Sequence, residues 1–219
     1  MFIVVFLLGR PGSGKSTGER LIRMFARDYG WLYHSINDYE HLQRMFLREE
    51  AEKTTLDKRD FIRRELDGCI GFDVQNFEVL RTVLTEMRKE VEDIKETSPY
   101  DKKTLCTVEF ARATYQDDLE LFGSTLLAGA QFLYFDVDVR TCIDRNHKRT
   151  DHLISDEIMK TYYRHDDWAR KMYNLQDSQN KSEIKNTGTL DDFARKAKEW
   201  FEVRLEHRIP AFVASNERG

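Results

Sequence analysis

Residues 2–17, FIVVFLLGRPGSGKST, constrain the fold of this chain more than any other stretch. Phe2 to Leu8 is a continuous apolar run rich in β-branched and aromatic residues, the pattern of a strand buried on both faces of a parallel sheet. Gly9 to Ser16 then satisfies G-x-x-x-x-G-K-[ST], and from Lys15 onward the apolar spacing turns helical. A strand, a glycine-rich loop and a helix in that order make a cradle for phosphate. Gly12 and Gly14, with Ser13 between them, let the backbone turn its N–H groups inward toward phosphate oxygens. The start of the helix adds partial positive charge. In such a loop Lys15 reaches the β- and γ-phosphates, the Ser16 hydroxyl ligates Mg²⁺, and Thr17 is placed to touch the α-phosphate. The loop therefore predicts binding of a nucleoside triphosphate with Mg²⁺.

The rest of the chain alternates strands with helices. Further strands are expected at Trp31 to Ile36, Leu105 to Phe110, Gln131 to Val137 and Ser182 to Asn186. Between them, Leu21, Ile22, Phe25 and Ala26 share one helix face. A single stripe of Phe77, Leu80, Leu84, Met87, Val91 and Ile94 marks the clearest helix, either a core face or a partner-facing one. Leu119, Phe122, Leu126 and Leu127 predict another helix, Arg140 to Arg149 a short basic one, and Asp156 to Arg164 a third. Leu190, Phe193, Ala197, Trp200, Phe201 and Leu205 predict the last. Residues 37–67 read as polar, with helical segments and no long apolar face. This order implies an α/β fold with a parallel sheet and right-handed crossovers. No repeat or linker divides it, so residues 1–219 form a single domain with two inserted segments, 37–75 and 140–170.

Composition removes several classes. A net charge of −4 with 34% charged residues of mixed sign reads as solvated helix faces, and does not favour a nucleic-acid or membrane surface. Cys69, Cys106 and Cys142 show no Cys-x-x-Cys spacing, so neither a zinc site nor a disulfide framework is expected, and reduced thiols suit a cytoplasmic protein. The opening apolar run is too short to span a bilayer and has neither a basic leader nor a small-residue cleavage site.

Three segments carry a resemblance: GRPGSGKST, the strand–helix stretch FDVDVRTCIDRNHKR with its Cys-x-x-Arg and further Arg, and EIKNTGTLDDF near the end. Together they resemble the P-loop small-molecule kinases, the nucleoside and nucleotide kinases and relatives such as gluconate kinase, adenylylsulfate kinase and the zeta-toxin group. No strand ending carries the guanine-recognising NKxD of signalling GTPases or the Asp-Glu pair of motor ATPases. The resemblance covers most of the chain. It implies a P-loop NTPase core, a five-stranded parallel sheet flanked by helices on both faces, with ATP as phosphate donor. It also implies a lid after the Cys-x-x-Arg helix, within 140–170. Arg145 and Arg149 match the family's lid arginines, which hold phosphates and pack on adenine; Arg164 is a third candidate. Gly188, in Thr187-Gly188-Thr189, would lie against the adenine through backbone atoms.

Two carboxylates follow strand ends, where an open α/β sheet binds its ligands. Asp38 resembles the Asp after the second strand in relatives that phosphorylate a hydroxyl. Glu109, in VEFAR, resembles the acidic residue of deoxynucleoside kinases that acts as base or orients magnesium. Arg112 is expected to point into the same cleft and grip a substrate phosphate or stabilise the transferring one. Segment 37–75 should supply the acceptor pocket. Its Arg44, Arg48, Arg59, Arg63 and Arg64 would suit an acceptor already carrying phosphate. Its Tyr39, Phe46, Phe61 and Phe72, with Phe77 just beyond, would suit stacking on a base. The leading expectation is a kinase for a nucleotide or nucleoside. Two alternatives stay open: a kinase for another hydroxyl (sugar, antibiotic, sugar-nucleotide or polynucleotide 5′ end), and a nucleotide-dependent regulatory ATPase. A homodimer through the Phe77–Ile94 stripe also stays open.

Overall fold

β1 (Phe2–Leu8) lies at the centre of a five-stranded parallel sheet in a computed structural model of the chain. The structure describes residues 1–53, 55, 58–66, 68–149, 153–164 and 180–206. The other strands of this sheet are β2 (Leu32–Asn37), β5 (Thr104–Glu109), β6 (Gln131–Asp136) and β7 (Lys181–Lys185), in the order β2-β5-β1-β6-β7. All five are the strands expected from sequence, with ends shifted by a residue. β1 is buried on both sides because its alternate side chains enter different cores. Val4, Phe6 and Leu8 face one layer, and Val5 and Leu7 face the other. The first layer holds α2 (Asp38–Ala51) and α3 (Glu78–Thr97); the second holds α1 (Lys15–Asp28) and the last helix, α8 (Leu190–Phe201).

The long stripe belongs to the chain's own core. Leu80, Leu84, Met87 and Val91 are buried, Ile94 is partly buried, and only Phe77, at the helix start, is largely exposed. With Val83, the buried side chains contribute roughly 10 kcal/mol of gross hydrophobic stabilisation, an upper figure before chain entropy is counted. The stripe is therefore not free to serve as a partner surface or dimer seam, which corrects that expectation.

Three local expectations also change. The segment 37–67 forms α2 and then enters a hairpin that the sequence reading missed, β3 (Phe61–Leu66) paired antiparallel with β4 (Cys69–Val74). The helix expected around Leu119 to Leu127 is two short ones, α4 (Gln116–Glu120) and α5 (Ser124–Gly129), parted at Gly123, whose φ of +79° cannot continue a helix. The helices expected to reach Arg149 and Arg164 stop earlier, as α6 (Val139–Asn146) and α7 (Asp156–Thr161). Of the segment 140–170 read as a lid, residues 150–152 and 165–170 lie outside those described. No described helix is long and apolar enough to cross a membrane.

The register sets up the site. Glu109, the last residue of β5, pairs with Leu7 on one side and Asn37 on the other. The loop after β1 and the start of α2 after β2 therefore emerge on either side of one carboxylate. β1 is also where the order of the sheet turns, with later strands added on both flanks, the position at which such sheets open a crevice.

Candidate active site

Residues 9–14 curl around the start of α1 with Gly9, Gly12 and Gly14 at φ of 138°, 82° and 99°. At Gly12 glycine is required twice over, since an added Cβ would also lie 2.5 Å from the backbone oxygen of Cys142. Lys15, the first residue of α1, is only 6% exposed. Its ammonium donates to the carbonyl oxygens of Gly9 (2.9 Å) and Arg10 (3.0 Å), so the charge is already aimed into the loop. Burial pushes the Lys15 pKa down, opposed by Glu109 and Asp38. The Ser16 hydroxyl donates to Glu109 Oε1 at 3.1 Å. Burial pushes the Glu109 carboxyl up, and Lys15 is the chief influence holding it down. Ser16 and Glu109 thus offer adjacent oxygen donors at the helix start, a set that fits a magnesium ion whose other ligands are phosphate and water. Among the described residues no cluster of three or more His, Cys, Asp or Glu forms a cage for a metal by itself.

Asp38 opens α2, capped by Asn37, whose side chain accepts from the Glu40 amide. Its Oδ2 accepts from Arg112 Nη1 at 2.7 Å and from the Ala111 amide at 3.3 Å. Arg112 is 2% exposed. It also donates to the carbonyls of Ala111 and Leu80, and its Nε faces Asp118 at 3.5 Å. These bonds occupy the guanidinium within the protein. The sequence suggests that Arg112 grips a substrate phosphate or stabilises the transferring one; the structure shows it lining the cleft and bonded to Asp38.

Lys15, Ser16, Thr17, Asp38, Glu109 and Arg149 all line one cavity of about 690 Å³, within the usual range for a small-molecule site. Its outer wall is aromatic. Tyr39 and Phe72 lie parallel with centroids 5.7 Å apart, and Phe77 stacks on Tyr162 at 4.7 Å. The arginines expected to line it do not. Arg59 and Arg63 bond Glu50, Arg64 bonds Asp73 at 2.6 Å, and Arg44 bonds His41 and the Glu40 carbonyl. None of these, nor the exposed Arg48, is among the described residues that form the cavity wall. Local carboxylates on α2 and the hairpin capture the first three, which a linear sequence does not reveal.

No protein-family model matches the chain, and no curated protein matches its sequence. Solved structures do match. A sugar kinase from Janibacter sp. superposes with a TM-score of 0.54 at 14% identity, covering 93% of this chain and 96% of that one. A gluconokinase from Sinorhizobium meliloti gives 0.51 at 15% identity over 93% and 94%. A shikimate kinase from Acinetobacter baumannii, in complex with shikimate, gives 0.51 at 16% identity over 94% of each. The chain shares the fold of these three kinases.

Within that fold, two residues absent from the sequence-based site hold the P-loop in place. Tyr115, 2% exposed, accepts from the Gly9 amide at 2.9 Å and from the Arg112 amide at 3.4 Å, tying the loop to the anchor of Asp38. Asn186 donates from Nδ2 to the Ser13 carbonyl at 2.8 Å, while its own carbonyl accepts from Arg145 Nη2 at 2.8 Å. Asn186 carried a signal, its place after the last strand, but the partner on the loop is 173 residues away. Arg145 reaches the loop as well, donating to the Gly12 carbonyl at 3.4 Å. Arg149 follows α6 and adds its charge close to Lys15, helping to lower that pKa. Arg164 is exposed and offers its carbonyl to Arg10 (3.4 Å), outside the described cavity wall. Gly188 sits just before the Thr189 cap of α8, two residues beyond Asn186.

Asn186→Ala removes the side-chain hydrogen bond on the Ser13 carbonyl. A lost bond of this kind costs about 1–3 kcal/mol. ATP affinity, read from the KM for ATP or from thermal shift with ATP, is expected to fall by roughly tenfold, with the fold retained. An unchanged ATP KM would show that the clasp is ornamental to nucleotide binding.

Proposed function

We propose that the protein transfers the γ-phosphate of ATP, with Mg²⁺, to a hydroxyl of a small ring-bearing acceptor, a nucleoside or a sugar. The observation that carries this reading is the single cavity shared by Lys15, Glu109 and an Asp38 carboxylate fixed by Arg112. A hydrolase needs no second pocket beside its phosphate loop; a transferase does. A hydroxyl is favoured over a phosphate as acceptor because the arginines of segment 37–75 are turned to other partners, which withdraws the support for a nucleoside monophosphate being phosphorylated at its phosphate.

In this reading the acceptor ring lies against Tyr39, Phe72, Phe77 and Tyr162, and its hydroxyl hydrogen-bonds Asp38. As the hydroxyl oxygen attacks the γ-phosphorus, its proton passes to Asp38 and the bond from that phosphorus to the β,γ-bridging oxygen breaks, leaving ADP. Lys15 offsets charge on the phosphate oxygens. Arg112 keeps the Asp38 carboxylate in one orientation. Magnesium, held by Ser16 and Glu109, would supply further neutralisation of phosphate charge. Arg145 and Arg149 would add positive charge above the phosphates.

The test is an ADP-release assay with nucleosides, sugars and sugar acids as acceptors. The reading expects turnover that depends on one acceptor class, together with a mass gain of one phosphate on that acceptor. ATP turnover at one rate with every acceptor and with none would overturn it.

A further inference from the structure

A second hollow adjoins the first along the outside of α1. It has a volume of about 570 Å³ and is lined by Arg20, Arg23, Met24, Arg27 and Asp28. Arg20 lines both hollows, so the two lie side by side at that residue. Spacings of three and four residues place the three arginines on one face of the helix. At about 1.5 Å per residue they extend roughly 10 Å along its axis.

None of these cations is held by a close carboxylate among the described residues. Arg20 donates from Nε to the Ser16 carbonyl at 3.2 Å and Arg23 approaches Glu19 only at 3.7 Å; Arg27 has no carboxylate partner among the described residues. The contrast is with Arg59 and Arg64, each in contact with a carboxylate at 2.6 Å. Asp28 offsets part of the charge and leaves the hollow net positive. Met24, 48% exposed, adds an apolar surface beside it.

The direction is also informative. Besides Arg20 the main cavity is walled by Ser35 and Asn37 of β2. That is the side of Asp38, and it lies across the sheet from Asn186, Arg145 and β7. A chain leaving the acceptor position by this route meets the arginines in succession, while a nucleotide held on the loop from the Asn186 side does not.

We propose that the acceptor is the 5′-hydroxyl end of a single-stranded nucleic acid, whose terminal sugar enters the main cavity and whose following phosphates run along Arg20, Arg23 and Arg27. This rests on the kinase reading above and narrows its nucleoside acceptor to the nucleoside unit at the 5′ end of a strand. The overall charge of −4, which counts against long-range attraction of a polyanion, leaves this local row intact. Successive phosphodiesters supply what three exposed guanidiniums in a row recognise, and neither a free sugar nor a nucleoside reaches past Arg20.

The test compares the full-length protein with an Arg23→Gln/Arg27→Gln variant, which leaves every residue of the main cavity in place. Binding of a 5′-hydroxyl octadeoxynucleotide labelled at its 3′ end is followed by fluorescence anisotropy across a salt series, and melting temperatures check the fold. The variant is expected to bind roughly tenfold more weakly. Its log–log salt slope should be smaller by about 1.4, at about 0.7 per phosphate contact on a single strand. In the transfer assay the octamer should exceed its own terminal nucleoside at least tenfold in kcat/KM, an advantage the variant loses while its rate on the nucleoside stays unchanged. Equal binding by both proteins, no binding by either, or a nucleoside 3′-monophosphate phosphorylated as well as the octamer would overturn the proposal. If the octamer binds through the arginines and no acceptor of any kind gains phosphate, the kinase reading fails and the cationic surface stands. If sugars or nucleosides are phosphorylated and the octamer does not bind, the reverse holds.

Discussion

Replacing Lys15 by alanine is expected to lower phosphate transfer by roughly a hundred- to a thousandfold or more, the scale for deleting one preorganised charge from a transition state. The expectation follows from how little of this side chain is left to arrange. Its ammonium is buried and held 2.9 and 3.0 Å from two loop carbonyls, so its reorganisation cost is met during folding. Alanine removes the charge and also the donor for the Gly9 and Arg10 carbonyls. The loop has other restraints, from Tyr115 on the Gly9 amide and Asn186 on the Ser13 carbonyl, so a folded protein is expected. An ADP-release assay beside a melting curve separates the two effects. A well-folded Lys15→Ala protein with full activity would remove the basis for phosphate chemistry at this loop.

Asp38→Asn is the second large effect. An asparagine keeps the size and one acceptor for Arg112 but takes no proton from a hydroxyl. A fall in kcat of roughly 10²- to 10⁴-fold is expected, the range for losing a positioned general base, with little change in the KM for ATP. Stability should fall too, because Arg112 is 2% exposed and loses its 2.7 Å carboxylate; Asp118 at 3.5 Å compensates only in part. Arg112→Lys tells an anchor from a phosphate grip. As an anchor acting through Asp38, it lowers kcat and leaves the ATP KM in place. A rise in ATP KM without loss of kcat would return Arg112 to the phosphate.

The parts of this site that were legible in the sequence are those whose geometry is local. The P-loop is one contiguous stretch, so its glycines, Lys15 and Ser16 could be read together. Asp38 and Glu109 were legible because each directly follows or ends a strand, and the five strands announced themselves as apolar runs. The hairpin was not legible. FIRREL carries three consecutive charges, and of the two strands only Phe61, Gly71, Phe72 and Asp73 are known to be buried, too few for a clear alternation. The helix split at Gly123 was hidden by an apolar pattern that runs across it. Tyr115, Asn186 and the partners of Arg59, Arg63 and Arg64 depend on which distant or neighbouring group captures a polar side chain, information that resides in the packing and not in spacing.

The hairpin has one further property. Gly71 lies so close to the backbone of Leu153 that a Cβ would collide with it, and Asp73 accepts from the Ser155 amide at 2.9 Å while bonding Arg64. β4, the strand of the hairpin that walls the cavity, is therefore stitched to the segment between α6 and α7. In engineering terms the proposed acceptor pocket is not a detachable cassette. A graft meant to change the proposed acceptor must carry residues 153–155 with the hairpin, or it will tear the seam that joins them.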